Sequence, residues 1–96
     1  MPTKDDYEFV HISSAATTVV VGAACKLKRL TVNTTTTGLI IMYNSATSLG
    51  CLTTNAVGTL PASATVGTYD YEIKLGSGLV IVTLAASDIT AVYATA

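Results

Sequence analysis

The residues able to do acid–base, nucleophilic or metal chemistry are few. His11 is the only histidine, Cys25 and Cys51 are the only cysteines, and the chain has 5 Lys/Arg against 6 Asp/Glu. A Ser-His-Asp triad needs a base beside a nucleophile and a carboxylate to orient it. Ser13 and Asp70 are available, but no nucleophile-elbow motif surrounds any serine, and His11 reads as a plain strand histidine. Two cysteines and one histidine fall short of a tetrahedral zinc site. Cys25 and Cys51 are either a disulfide between adjacent strands or two reduced, buried thiols; the reduced state suits a chain without a visible secretory signal. Asp5, Asp6 and Glu8 beside Lys4 lack the loop signature of a calcium site. No glycine run forms a phosphate cradle; Gly38, Gly50, Gly67, Gly76 and Gly78 fall at turns. Asn33-Thr34-Thr35 is a formal glycosylation sequon, meaningful only in a eukaryotic secretory setting. These residues predict no enzyme, no cofactor and no metal.

The elements that would carry them are strands. The 96 residues suit one domain, and half of them are apolar. Only 11% are charged, against about 25% in an average soluble domain. The balance excludes a disordered tail and a basic nucleic-acid binder. The longest apolar stretch, 79–86, is broken by Thr83 and far too short to span a membrane. Val, Ile and Thr dominate, and these β-branched types favour a pleated, half-buried surface. Runs at 7–12, 17–22, 27–33, 39–44, 49–54, 68–75, 79–84 and 89–93, punctuated by turn residues, predict an all-β fold. We expect a single antiparallel β-sandwich of about eight strands, jelly-roll-like, with little or no helix. Residues 1–6 read as a flexible N-terminal arm and 7–96 as the sandwich domain.

Two kinds of strand stand out. In 68–75, Tyr69, Tyr71, Ile73 and Leu75 alternate with Asp70, Glu72 and Lys74, so one face is wet. By contrast 39–43 and 79–82 are apolar on both faces, which calls for burial on both sides. Either the 55–67 loop covers the second face or another subunit does. Within 27–33 the lysine face of Lys26 and Lys28 continues as Leu30 and Val32. That strand either runs from a solvated rim into the core or carries a bulge.

Five segments in order complete a pattern: Leu27-Lys28-Arg29-Leu30-Thr31-Val32-Asn33, Gly38-Leu39-Ile40-Ile41-Met42-Tyr43-Asn44, Gly67-Thr68-Tyr69-Asp70-Tyr71-Glu72-Ile73, Gly78-Leu79-Val80-Ile81-Val82-Thr83 and Asp88-Ile89-Thr90-Ala91-Val92-Tyr93. Over roughly 17–93 they resemble small β-sandwich structural proteins of tailed bacteriophages. This chain departs from the family pattern at Leu39, where a polar residue is usual, and at Asn44, where Asp is usual; Cys25 and Cys51 are not part of it.

The resemblance implies a non-enzymatic virion component, a capsid decoration (cement) protein that binds the phage head as a homotrimer. Its partners would be itself and the major capsid protein, with no nucleic acid and no membrane. Its place would be the capsid surface, reached by assembly in the bacterial cytoplasm. Leu39, Ile41, Tyr43, Leu79 and Ile81 are expected at the oligomer interface. Lys4, Asp5, Asp6, Lys26, Lys28, Asp70, Glu72 and Lys74 are expected at the shell contact. Alternatives are a tail, baseplate or fibre-associated protein and a carbohydrate-binding module, for which Tyr43, Tyr69, Tyr71 and Tyr93 are the available platform.

Overall fold

The computed structural model describes residues 7–34, 38–50, 53–85 and 87–95. The chain forms eight strands: β1 (Glu8–Ile12), β2 (Ala16–Val21), β3 (Cys25–Thr34), β4 (Ile40–Tyr43), β5 (Ala56–Leu60), β6 (Gly67–Leu75), β7 (Leu79–Thr83) and β8 (Asp88–Thr95). They make two four-stranded sheets, β1-β8-β3-β6 (sheet I) and β2-β7-β4-β5 (sheet II), antiparallel throughout. The pairs β1–β8, β2–β7, β3–β6 and β4–β5 are those of one long hairpin folded at β4–β5. Rolling that hairpin adds the seams β3–β8 and β4–β7. A rolled eight-strand hairpin in two packed sheets is a jelly roll, as the strand pattern predicts.

The core fills the space between the sheets. Leu27, Leu30, Val32, Ile89 and Ala91 from sheet I meet Ile40, Met42, Leu79 and Ile81 from sheet II, all fully buried. The expected strand at 49–54 is replaced by 3-10 turns at Ser48–Gly50 and Thr53–Asn55, and the fifth strand begins only at Ala56. Within the 55–67 segment, Ala56–Leu60 therefore lies beside β4 as an edge strand of sheet II.

The change of face in β3 is a bulge. Between Leu27 and Arg29 the ladders to both neighbours shift, and Glu72 on β6 takes a φ of 50° at the same level. Cys25, Leu27, Leu30 and Val32 are thereby buried, while Lys26 is exposed and Lys28 and Arg29 half-buried. One extra residue returns Leu30 to the core side.

Two backbone details fix the turns. Gly78 has φ 154°, and a Cβ there would lie 2.5 Å from Val21 O and 2.6 Å from Ser45 O. Buried Thr83 Oγ1 donates to Ser14 O (2.6 Å) and accepts from Ala16 N–H (3.0 Å), which sets where β2 begins. Gly78→Ala should cost about 1–3 kcal/mol, seen as a lower midpoint in thermal melting. Gly76→Ala, where nothing lies within 4 Å of the new Cβ, should melt like the parent. Thr83→Val strands the Ala16 N–H and should cost about 1–3 kcal/mol in urea denaturation.

Candidate functional site

The clearest functional feature is where the charge lies. All eight described charged residues, Glu8, Lys26, Lys28, Arg29, Asp70, Glu72, Lys74 and Asp88, belong to the strands of sheet I. His11 joins them on β1, and the strands of sheet II hold no ionisable side chain except the Tyr43 phenol. The two layers of the sandwich therefore present chemically opposite outer faces.

On sheet I the register sets out the charged face in rows. His11, Thr90, Thr31 and Thr68 are cross-strand neighbours, and Phe9, Val92, Arg29 and Asp70 form the next row. At one end Asp88 Oδ1 is hydrogen-bonded to His11 Nε2 and accepts from Asn33 Nδ2 (3.1 Å). Asn33 Nδ2 also donates to Thr90 Oγ1 at 3.2 Å. The His11 and Asn33 bonds hold the Asp88 carboxyl below its ordinary range. In the middle Lys28 Nζ donates to Glu72 Oε1 (2.9 Å) and stands 5.5 Å from the Tyr7 ring centroid. That bond lowers the Glu72 carboxyl and raises the Lys28 ammonium. Arg29 Nε, 3.8 Å from Asp70 Oδ1, is buried without a hydrogen bond. At the far end Lys26 and Lys74 are direct cross-strand neighbours, both exposed. Like charges set opposite each other repel, so this corner is an open cationic pair.

On sheet II the outer face is a hydrocarbon stripe. Ile40 and Met42 point into the core, so Ile41 and Tyr43 point out, opposite Val82 and Val80 respectively. Leu84 N–H donates to Leu39 O (3.1 Å), continuing the β4–β7 pairing, and Leu39 and Leu84 are both exposed. Thr17 and Val19 flank the stripe on β2, and Thr59 and Ala56 on β5. Val19 is 44% exposed and Leu84 57%.

The expected site residues divide accordingly. Lys26, Lys28, Asp70, Glu72 and Lys74 share the charged sheet. Leu39, Ile41 and Tyr43 share the apolar outer face. Leu79 and Ile81 do not: both are fully buried in the core between the sheets, and of the alternate β7 residues Val80 is fully buried too, leaving Val82 half-buried on the outer face. Lys4, Asp5, Asp6 and Cys51 lie outside the described residues, and Cys25 carries a free thiol buried in the core, its pKa raised by desolvation. Of the tyrosines proposed as a sugar platform, Tyr69, Tyr71 and Tyr93 pack against the core. Asp70 is not the partner of His11; it stands three strands away beside Arg29. Sequence reasoning missed Phe9, 71% exposed on the charged face, although its alternation with Val10 and Ile12 already marks it as outward.

Among the described residues, no group of three or more His, Cys, Asp or Glu side chains could hold a metal ion, and no helix is long and apolar enough to cross a membrane. The arrangement offers two surfaces for association, one ionic and one apolar.

An antiparallel jelly-roll β-sandwich with one charged and one uncharged face is the class the structure defines. No known protein-family model matches the chain, and no curated protein matches it. A solved structure that matches comes from work describing Bacillus endospore appendages as a novel family of disulfide-linked pili. It has a TM-score of 0.52 and 18% identity, covering 95% of this chain and 87% of that one. At that identity the likeness is one of fold. It lies with a subunit of a structural appendage, and no match lends support to the phage family.

The direction of the Asp88 shift fixes a pH effect. A carboxyl lowered in the folded state stabilises above its unfolded pKa, and the contribution disappears as pH falls through the folded value. The parent should therefore lose denaturation midpoint as pH drops from about 5 to below about 3, the usual carboxylate range and beneath it. Asp88→Asn should lose less over the same interval.

Proposed function

We propose that this chain is a non-enzymatic structural subunit that acts by association and, more finely, a capsid decoration protein seated on a phage head. One observation supports the structural part: the described charges are all confined to one sheet, which gives the sandwich one ionic and one uncharged outer face. The jelly-roll likeness to an appendage subunit supports a structural role. The ordered strand motifs at 27–33, 38–44, 67–73, 78–83 and 88–93 support the head assignment.

On this reading sheet I meets the shell. Lys26, Lys28 and Lys74, with Asp70 and Glu72 among them, form a patch that steers toward a surface of complementary charge, and Lys4, Asp5 and Asp6 are proposed as further shell contacts. Many weak contacts repeated over the shell supply the affinity. The major capsid protein is the partner and the capsid surface the location, with the chain present as a homotrimer.

A second reading has one observation in its favour. The solved fold relative belongs to a pilus, so the same sandwich could be a subunit of a surface polymer. The disulfide linkage described for that pilus is not available through Cys25, whose thiol is buried in the core.

Adding the purified chain to shells assembled without it, followed by sedimentation and cryo-electron microscopy, separates the two. A decoration protein co-sediments and adds density to the outer surface, and Lys26→Glu with Lys74→Glu weakens binding about ten-fold or more. Absence of density on the shell overturns the head assignment. Filaments of the chain alone would then favour the appendage.

A further inference from the structure

The outer face of sheet II has no role in the shell contact, and its composition limits what can cover it. Its two central strands turn Leu39, Ile41 and Tyr43 and Val82 and Leu84 outward, while Val80 between them is fully buried and adds nothing to the surface. Its edge strands add the exposed Thr17, Val19 and Thr59. We infer that this face is a self-packing seam, the surface on which a second copy of the same chain lies sheet against sheet. The inference rests on the structural-subunit reading and assigns the face used for self-association.

Charge complementarity selects a second copy as the occupant. A face bearing charge of one sign repels its own copy, whereas a face without charge meets its copy at no electrostatic cost. Its polar groups satisfy the same condition. They are the hydroxyls of Thr17, Thr59 and Tyr43, each of which both donates and accepts, so two identical faces can pair them. A face whose polar groups were carboxylates or ammoniums could not do this. Partners with charged surfaces are disfavoured for the converse reason, because burying their charges here would leave them unpaired.

The area predicts how tight the seam is. Four strands of about five residues cover roughly 17 by 19 Å, and the exposed side chains of Leu39 and Leu84 lengthen the patch. That is less than the ~800 Å² per partner of a standard stable interface. A single seam is therefore reversible, and it becomes firm when each subunit is held by further contacts, as in a ring or on a lattice.

Sedimentation-velocity ultracentrifugation of the full chain over a range of concentrations and salt tests the seam. The parent should associate reversibly, and association should persist or strengthen from about 0.05 to about 1 M NaCl, because no ion pair is screened. Ile41→Lys places a cation on the stripe. Thr59→Lys does the same at an exposed position whose replacement leaves the core untouched. Each should weaken self-association about ten-fold or more while circular dichroism shows an intact sandwich, and Lys26→Glu on sheet I should leave it unchanged. A parent that stays monomeric to about 1 mM, or that binds neutral lipid vesicles as a monomer, overturns the inference. So does association that survives both lysine variants, or that is lost with Lys26→Glu instead. Shell sedimentation reports separately: self-association without shell binding removes the head assignment and leaves the seam standing, and the reverse result removes the seam alone.

Discussion

Each strand of a two-layer sandwich gives one face to the core and must find an environment for the other. In this chain that requirement meets a shortage. Sheet I can turn its second face to water because Lys26, Lys28, Arg29, Asp70, Glu72, Lys74 and Asp88 are all in its strands. Nothing comparable remains for sheet II, whose outer face carries Ile41, Tyr43 and Val82 with threonines at the margins, Val80 beside them being fully buried. The unequal split is a matter of sequence position. The rolled hairpin sends 25–34 and 67–75, which hold most of the charge, to the same sheet, and sends the charge-free 40–43, 56–60 and 79–83 to the other.

Much of this was legible in the sequence. Alternation in 68–75 showed which side of β6 is wet, and the lysine-to-leucine change of face in β3 left a bulge as one of two solutions. The bulge is the one adopted, with Glu72 at positive φ completing it on the neighbouring strand. Where the pattern had no period, it could not assign a side. Leu79, Val80, Ile81 and Val82 are apolar without interruption, and only the pairing with β4 decides that Leu79 and Ile81 face inward. The fifth strand was placed too early because Gly58 and Pro61 marked 55–67 as loop. In the structure the bare Cα of Gly58 makes room for the Tyr71 ring, 2.8 Å from where a Cβ would sit, and the strand closes that edge of the sandwich. The His11–Asp88 contact joins positions 77 residues apart, beyond the reach of any local motif.

Fold and function stand in an ordinary relation here. A jelly roll hosts unrelated activities, and what a particular one does is decided by its surfaces. The likeness to a solved appendage structure is one of fold. The partition of charge then separates an ionic face from an uncharged one. Two faces of opposite character thus lie on one thin body, 18 Å across its shortest dimension.

The position of β8 has a consequence for when the fold can form. β8, the last of the eight strands in chain order, lies inside sheet I, between β1 and β3, and supplies Ile89 and Ala91 to the core. Until it is in place, β1 has no partner in its sheet and β3 lacks one of its two. Pairing between segments so far apart in the chain is intrinsically slow. Sheet I is therefore complete only once β8 has taken its place between β1 and β3.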